Sequence, residues 1–247
     1  MTRYVRNILF LVDCQENGRW PALSGTCFLF CYHKKFYVIT AKHALHDFDI
    51  NDIKILLNPY AADIRERHRT IAFSGAFSFN GDSEKTDYDS DADDICIFEV
   101  DQREPEALLS PHFTEYVRPD NISANAEMFV VGYPNKNQYI DYDKNVGEFG
   151  AIILPVKKYS DSNLHDFKFQ LYVEKNIYPD FDGFSGAPVF YKKPDGNLRV
   201  IGIVLRGSAK SGIFHCLDIR RVEAFILTKH RNVELSIRPC SKTFTAQ

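Results

Sequence analysis

The sequence is short of several things that would assign it a class at once. No apolar run approaches the ~18 residues that a membrane-crossing helix needs. The only short apolar run near the start, Ile8–Val12, falls below the roughly 7–15 residues of a secretory signal core, and no small-residue cleavage site follows it. A basic surplus is missing too: 30 Lys and Arg against 33 Asp and Glu leave a formal charge of −3, so nucleic-acid binding is not expected. The six cysteines, Cys14, Cys27, Cys31, Cys96, Cys216 and Cys240, are scattered through apolar, strand-like surroundings rather than set in a ligand or disulfide framework. They read as free buried thiols of a reduced, cytoplasmic protein. Helical periodicity is scarce as well.

Short apolar or alternating segments remain, broken by turn residues. With 247 residues, 45% of them hydrophobic, the chain can bury a real core, and the pattern is that of an all-β sandwich or barrel. Strands are expected at 7–12, 26–32, 35–40, 53–57, 94–100, 128–132, 151–156, 167–173, 187–192, 200–205 and 213–217, where β-branched and aromatic residues suit a pleated surface. The segment 102–121 holds three prolines and reads as a linker. From Asp218 the spacing of Ile219, Val222, Phe225 and Ile226 predicts an amphipathic helix to about residue 230, with Asp218 as its cap. Residues 231–247 read as a polar tail.

Three segments carry chemistry. Asp182-Gly183-Phe184-Ser185-Gly186-Ala187-Pro188 offers a hydroxyl on a turn whose glycines allow close backbone approach. Thr40-Ala41-Lys42-His43 places an imidazole at the end of an apolar strand, and Asp94-Ile95-Cys96-Ile97 an acid at the mouth of another. Each has a plain structural alternative: a turn before a strand, a satisfied histidine, a solvated acidic loop. Together they stand in the order His, Asp, Ser, with separations of 51 and 91 residues.

In that order and spacing, Thr-Ala-x-His, Asp-Ile-x-Ile and Gly-x-Ser-Gly-x-Pro resemble the trypsin/chymotrypsin-like serine peptidases, especially bacterial intracellular members. Flanking pieces agree: Ser24-Gly25-Thr26-Cys27-Phe28, Val131-Gly132-Tyr133-Pro134 and Val200-Ile201-Gly202-Ile203-Val204. The resemblance implies two six-stranded antiparallel β-barrels with a C-terminal helix: residues 1–101 bearing His43 and Asp94, the linker 102–121, residues 122–217 bearing Ser185, a helix over 218–230 and a tail over 231–247. It implies Ser185 as nucleophile, His43 as general base and Asp94 as its orienter, with the backbone N–H groups of Gly183 and Ser185 as oxyanion hole. Asp94 is preferred to Asp93 because the family acid immediately precedes the Ile-x-Ile strand. A protein or peptide substrate would pair with Leu205, Arg206 and Gly207, and the pocket for its side chain would be floored near Pro179, Asp180 and Phe181.

Two departures from the family pattern stand out. The residue before the serine, in secreted relatives an Asp that pairs with a newly cut N-terminus, is Phe184. The residue after the histidine, usually Cys, is Ala44. Activation by N-terminal cleavage is therefore not expected, which leaves control by a partner protein open. So is a catalytically idle fold used as a peptide-binding module. No cofactor or metal is expected: Asp87, Asp89, Asp91 and Asp93 alternate like a calcium loop but lack its Gly and closing Glu, and His43 and His46 lack the Glu of a zinc-protease helix.

Overall fold

Alternating burial explains most of the architecture. In the computed structural model of the protein, residues 1–14, 18–45, 52–55, 70–78, 94–104, 106, 109, 113–123, 125–141, 146–159, 167–174 and 178–237 are described. Fourteen strands and one long helix lie among them: β1 Val5–Cys14, β2 Gly18–Tyr32, β3 Lys35–Ala41, β4 Ile53–Ile55, β5 Phe73–Ser78, β6 Ile95–Val100, β7 Met128–Gly132, β8 Gln138–Asp141, β9 Val146–Phe149, β10 Ile152–Lys158, β11 Lys168–Tyr172, β12 Pro188–Lys192, β13 Leu198–Ser208, β14 Ile213–Asp218 and α1 Ile219–Ile237. The first six form one antiparallel sheet in the order β4-β1-β2-β3-β6-β5. Strands β10-β11-β14-β13-β12-β7 close into a barrel, and β8 pairs with β9 alone.

The centre of the first sheet, in β2, β3 and β6, is buried on both faces, which is why these strands read as nearly continuous apolar runs. Side chains alternate across a strand. Cys27 and Leu29 of β2, Val38 of β3, and Cys96 and Phe98 of β6 turn to the interior of the first unit, with Ile8, Ile53 and Ile55. Their neighbours Phe28 and Phe30, Tyr37 and Ile39, and Ile95 and Ile97 turn the other way. There they meet Val131, Tyr133, Phe190 and Val200 of the second unit, and Val222 and Ile226 of α1. Each such buried side chain contributes roughly 1.5–3 kcal/mol, so the seam between the two units is itself a core. The interior of the closed barrel is separate, built from Val130, Leu154, Leu171, Val189, Ile201 and Phe214 among others.

The expected linker does more than connect. Phe113 exchanges backbone hydrogen bonds with β2, its N–H donating to Leu29 O at 3.1 Å and its O accepting from the Cys31 N–H at 2.6 Å. Four residues on, the Val117 N–H donates to Val200 O of β13 at 3.1 Å. The Phe113 ring lies in the seam, with centroids 4.5 Å from Tyr4 and 5.0 Å from Phe190.

The helix starts where its sequence signal places it: Asp218 Oδ1 accepts from the Arg220 N–H at 2.8 Å, a side-chain cap. It runs past the expected boundary at 230 to Ile237, so residues 231–237 are helix rather than tail. No Gly or Pro interrupts the chain between Ile219 and Ile237; the first breaker is Pro239. α1 packs back on the first sheet, where Lys229 Nζ lies 3.2 Å from Glu99 Oε2 and 4.0 Å from the Phe77 ring centroid.

Candidate active site

Strand β3 delivers its last residues, Thr40 and Ala41, straight into a short 3-10 turn, Lys42–Leu45, which lifts His43 off the sheet. Strand β6 is its antiparallel neighbour, with Ala41 opposite Ile95. Asp94, just before β6, therefore lies beside the turn. Its carboxylate is used twice: Oδ2 is 2.5 Å from His43 Nδ1, and Oδ1 accepts from the His43 backbone N–H at 2.9 Å. The first contact orients the ring and the second fixes the turn carrying it. Asp94 also holds Lys42, whose N–H donates to Asp94 O at 3.2 Å. The other ring nitrogen, Nε2, lies 2.7 Å from Ser185 Oγ. A residue pair from the first unit and one from the second thus form a single line of hydrogen bonds. His43 remains about half exposed and Asp94 about one-fifth, so the line opens to solvent on its reacting side. Asp93 and His46, and the alternating acids Asp87, Asp89 and Asp91, lie outside the described residues.

The turn carrying Ser185 is held from below by polar side chains of the first unit. Thr26, wholly buried, accepts from the Tyr133 N–H and donates to Gly183 O, each at 2.8 Å. Its own N–H donates to Ser185 O at 3.0 Å. Thr40 Oγ1 donates to Thr26 O at 2.8 Å, and Ser24 Oγ donates to Ala44 O. So Ser24-Gly25-Thr26 of β2 grips the His43 turn and the Ser185 turn at once.

The glycines follow from this close packing. Gly183 and Gly186 have φ of +91° and +85°, values that L side chains rarely adopt. A Cβ at Gly186 would lie 2.0 Å from Thr26 O and one at Gly183 2.4 Å from Tyr133 O. Among the described residues, the N–H groups of Gly183 and Ser185 donate to nothing, whereas those of Phe184, Gly186 and Ala187 bond to Phe181 O, Val204 O and Phe184 O. Two unsatisfied donors beside a serine hydroxyl form a ready anion site.

Phe184 is turned inward and fully buried, against Tyr178, Phe181 and Phe214. The ring anchors the turn by apolar packing. Asp180 is occupied locally, its Oδ1 accepting from the Asp182 N–H at 3.0 Å. Leu205 is buried, while Arg206 and Gly207 are exposed at the far end of β13, beyond the last residue that β12 covers. The bracing by Thr26 and Thr40 went unread in the sequence; the signal was there, in hydroxyl residues set inside otherwise apolar strands.

No family model matches the chain, and no curated protein does. Among solved structures, human heparin binding protein is similar, with a TM-score of 0.60 over 92% of this chain and 91% of that one, at 12% sequence identity. The fold is chymotrypsin-like. In this chymotrypsin-like arrangement the His43–Asp94 pair comes from the open six-stranded sheet and Ser185 from the closed barrel. No group of three or more His, Cys, Asp or Glu among the described residues could hold a metal ion.

Four cysteine side chains are described, those of Cys27, Cys31, Cys96 and Cys216, and all are free. Burial raises the thiols of Cys27 and Cys216, and pushes Cys96 up to about 12. The side chain of Cys14, and Cys240 entirely, lie outside the described residues. No described helix is long and apolar enough to cross a membrane.

Proposed function

We propose that the chain is a trypsin-like serine endopeptidase of the bacterial intracellular type, cutting proteins or peptides through an acyl-enzyme. The observation that carries the proposal is the unbroken relay from Asp94 Oδ2 through the His43 ring to Ser185 Oγ, at 2.5 and 2.7 Å. In the first step Ser185 Oγ forms a bond to the scissile carbonyl carbon while its proton passes to His43 Nε2. The carbonyl oxygen gains negative charge and faces the open N–H groups of Gly183 and Ser185. The carbon–nitrogen bond then breaks, and His43 returns the proton to the departing amine. Water, deprotonated by the same imidazole, attacks the acyl carbon; the carbon–Oγ bond breaks, and the imidazolium returns the proton to Ser185 Oγ. Throughout, Asp94 holds Nδ1–H and stabilises the imidazolium.

The exposed end of β13, Leu205–Gly207, would receive the substrate backbone as an added strand. The free cysteines support a reduced compartment, here taken as the cytoplasm. Phe184 leaves no carboxylate to pair with a newly cut N-terminus, so control by a partner protein is proposed in its place.

A purely binding role is the alternative, and the fold neighbour is named for heparin binding. Heparin is a polyanion, and a net charge of −3 disfavours a polyanion ligand. A binding module would also have no use for an ordered relay ending on a hydroxyl. The test is hydrolysis of an unfolded, fluorescently labelled protein by the wild type and by Ser185→Ala. Loss of about 10⁴-fold or more in the variant is expected; equal rates in the two would defeat the proposal.

A further inference from the structure

A carbonyl carbon bonded to Ser185 Oγ has three other substituents. Its oxygen turns to the Gly183 and Ser185 N–H groups, and its leaving nitrogen must face His43 Nε2 to be protonated. The remaining one, the α-carbon of the residue being cut, is thereby directed to the side of Ser185 away from His43. On the serine-peptidase reading, two stretches bound that side. One is the chain before the nucleophile, Asp180–Asp182; the other is the end of β13, Leu205–Gly207. The Ser185 turn is tied to β13, since the Gly186 N–H donates to Val204 O and the Val204 N–H to Ala187 O, both at 2.8 Å.

Aromatic rings of the chain itself occupy the space between these walls. Phe214 stands opposite Gly207 in the β13–β14 ladder. Phe181 comes from the other wall and stacks on it, with centroids 4.3 Å apart and planes 20° from parallel. Both press on Gly207: a Cβ there would lie 2.5 Å from Phe214 Cδ1 and 2.9 Å from Phe181 Cδ2. Phe184 closes the back of the cluster, 5.6 Å from Phe214 and 6.2 Å from Phe181. Phe214 and Phe184 are fully buried and Phe181 is 7% exposed, so the stack is interior packing rather than the lining of an open slot. Asp180, on the first wall, is oriented by its own loop, its Oδ1 accepting from the Asp182 N–H at 3.0 Å.

Resting on the serine-peptidase reading, we infer that the residue donating the scissile carbonyl must be small (glycine, alanine or serine), because Phe181 and Phe214 fill the space a larger side chain would enter. Displacing a packed ring to admit a large group would break interior contacts and overpack the site. The protein therefore selects extended peptides with a small residue at the cut.

The experiment uses the full chain and three matched peptidyl phosphonate esters that differ only in an alanine-, phenylalanine- or lysine-type side chain, with a plain alkyl fluorophosphonate as reference. The expected result is inactivation by the alanine-type reagent on the order of 100-fold faster than by the other two. Phe181→Ala should narrow that gap by speeding the phenylalanine-type reagent; if this variant fails to fold, the wild-type comparison still decides. Equal or faster reaction with the phenylalanine- or lysine-type reagent overturns the inference while leaving Ser185 a nucleophile. Failure of the plain fluorophosphonate as well overturns the serine-peptidase reading and the inference with it.

Discussion

Replacing Thr26 by valine removes one hydroxyl and almost no volume, yet that hydroxyl is the only described tie from the first sheet to the Gly183 carbonyl. Two buried groups lose their partner at once: the Tyr133 N–H and Gly183 O, each 2.8 Å from Thr26 Oγ1. An unsatisfied buried backbone group costs about 1–3 kcal/mol, so a loss of about 2–6 kcal/mol of folding free energy is expected. The methyl that replaces the hydroxyl cannot stay 2.8 Å from an oxygen, so the turn must also move. Gly183 lies next to the open N–H groups, and a shift of ~1 Å there is enough to lower turnover by about 100-fold. The assay is a denaturant titration with a parallel measurement of peptide hydrolysis. Thr26→Ser, which keeps the hydroxyl, should restore most of both. A valine variant within ~0.5 kcal/mol of wild type and equally active would refute the bracing argument.

Asp94→Asn should lower turnover by about 10⁴-fold with little change in stability. Turned to the backbone, the new NH₂ meets the His43 N–H, a second donor; turned to the ring, it needs an unprotonated Nδ1, which leaves the imidazole proton on Nε2, where it cannot accept one from Ser185. Steady-state kinetics check this, and activity within tenfold of wild type would contradict it. Iodoacetamide at pH 8 should leave Cys27, Cys96 and Cys216 unmodified in the folded protein, because burial raises their thiols and the reactive thiolate stays scarce; peptide mass mapping before and after denaturation reads it out. The β2–β3 hairpin turns on His33 and Lys34, both left-handed at φ of 48° and 64°. Replacing them with Asn-Gly, the pair that suits such a turn, should stabilise the protein by about 1–2 kcal/mol in a denaturant titration.

Much of the fold was legible because burial alternates residue by residue. All eleven expected strands are present, Met128–Gly132 to the residue. The strands that escaped, β5, β8 and β9, are FSGAFS, QYID and VGEF, short and poor in the β-branched pattern that marks a half-buried strand. The candidate site was legible for a different reason: the proposed chemistry demands particular residue types in a particular order, and His43, Asp94 and Ser185 meet that demand. Its supports were not. Thr26 and Thr40 act through hydroxyls that bond to backbone atoms more than 100 residues away or across a sheet; a hydroxyl inside an apolar strand signals that a partner exists, but not which one. Phe184 shows the same limit. The sequence shows a phenylalanine before the serine, but only the structure reveals the aromatic cluster it joins.

The central claim is that Ser185 is an activated nucleophile, and fluorophosphonate labelling mapped by peptide mass spectrometry tests it most directly. The account predicts one adduct, on Ser185, absent in Ser185→Ala and strongly slowed in His43→Ala. A folded wild-type protein that takes no label, or one labelled equally after loss of Ser185, would contradict it.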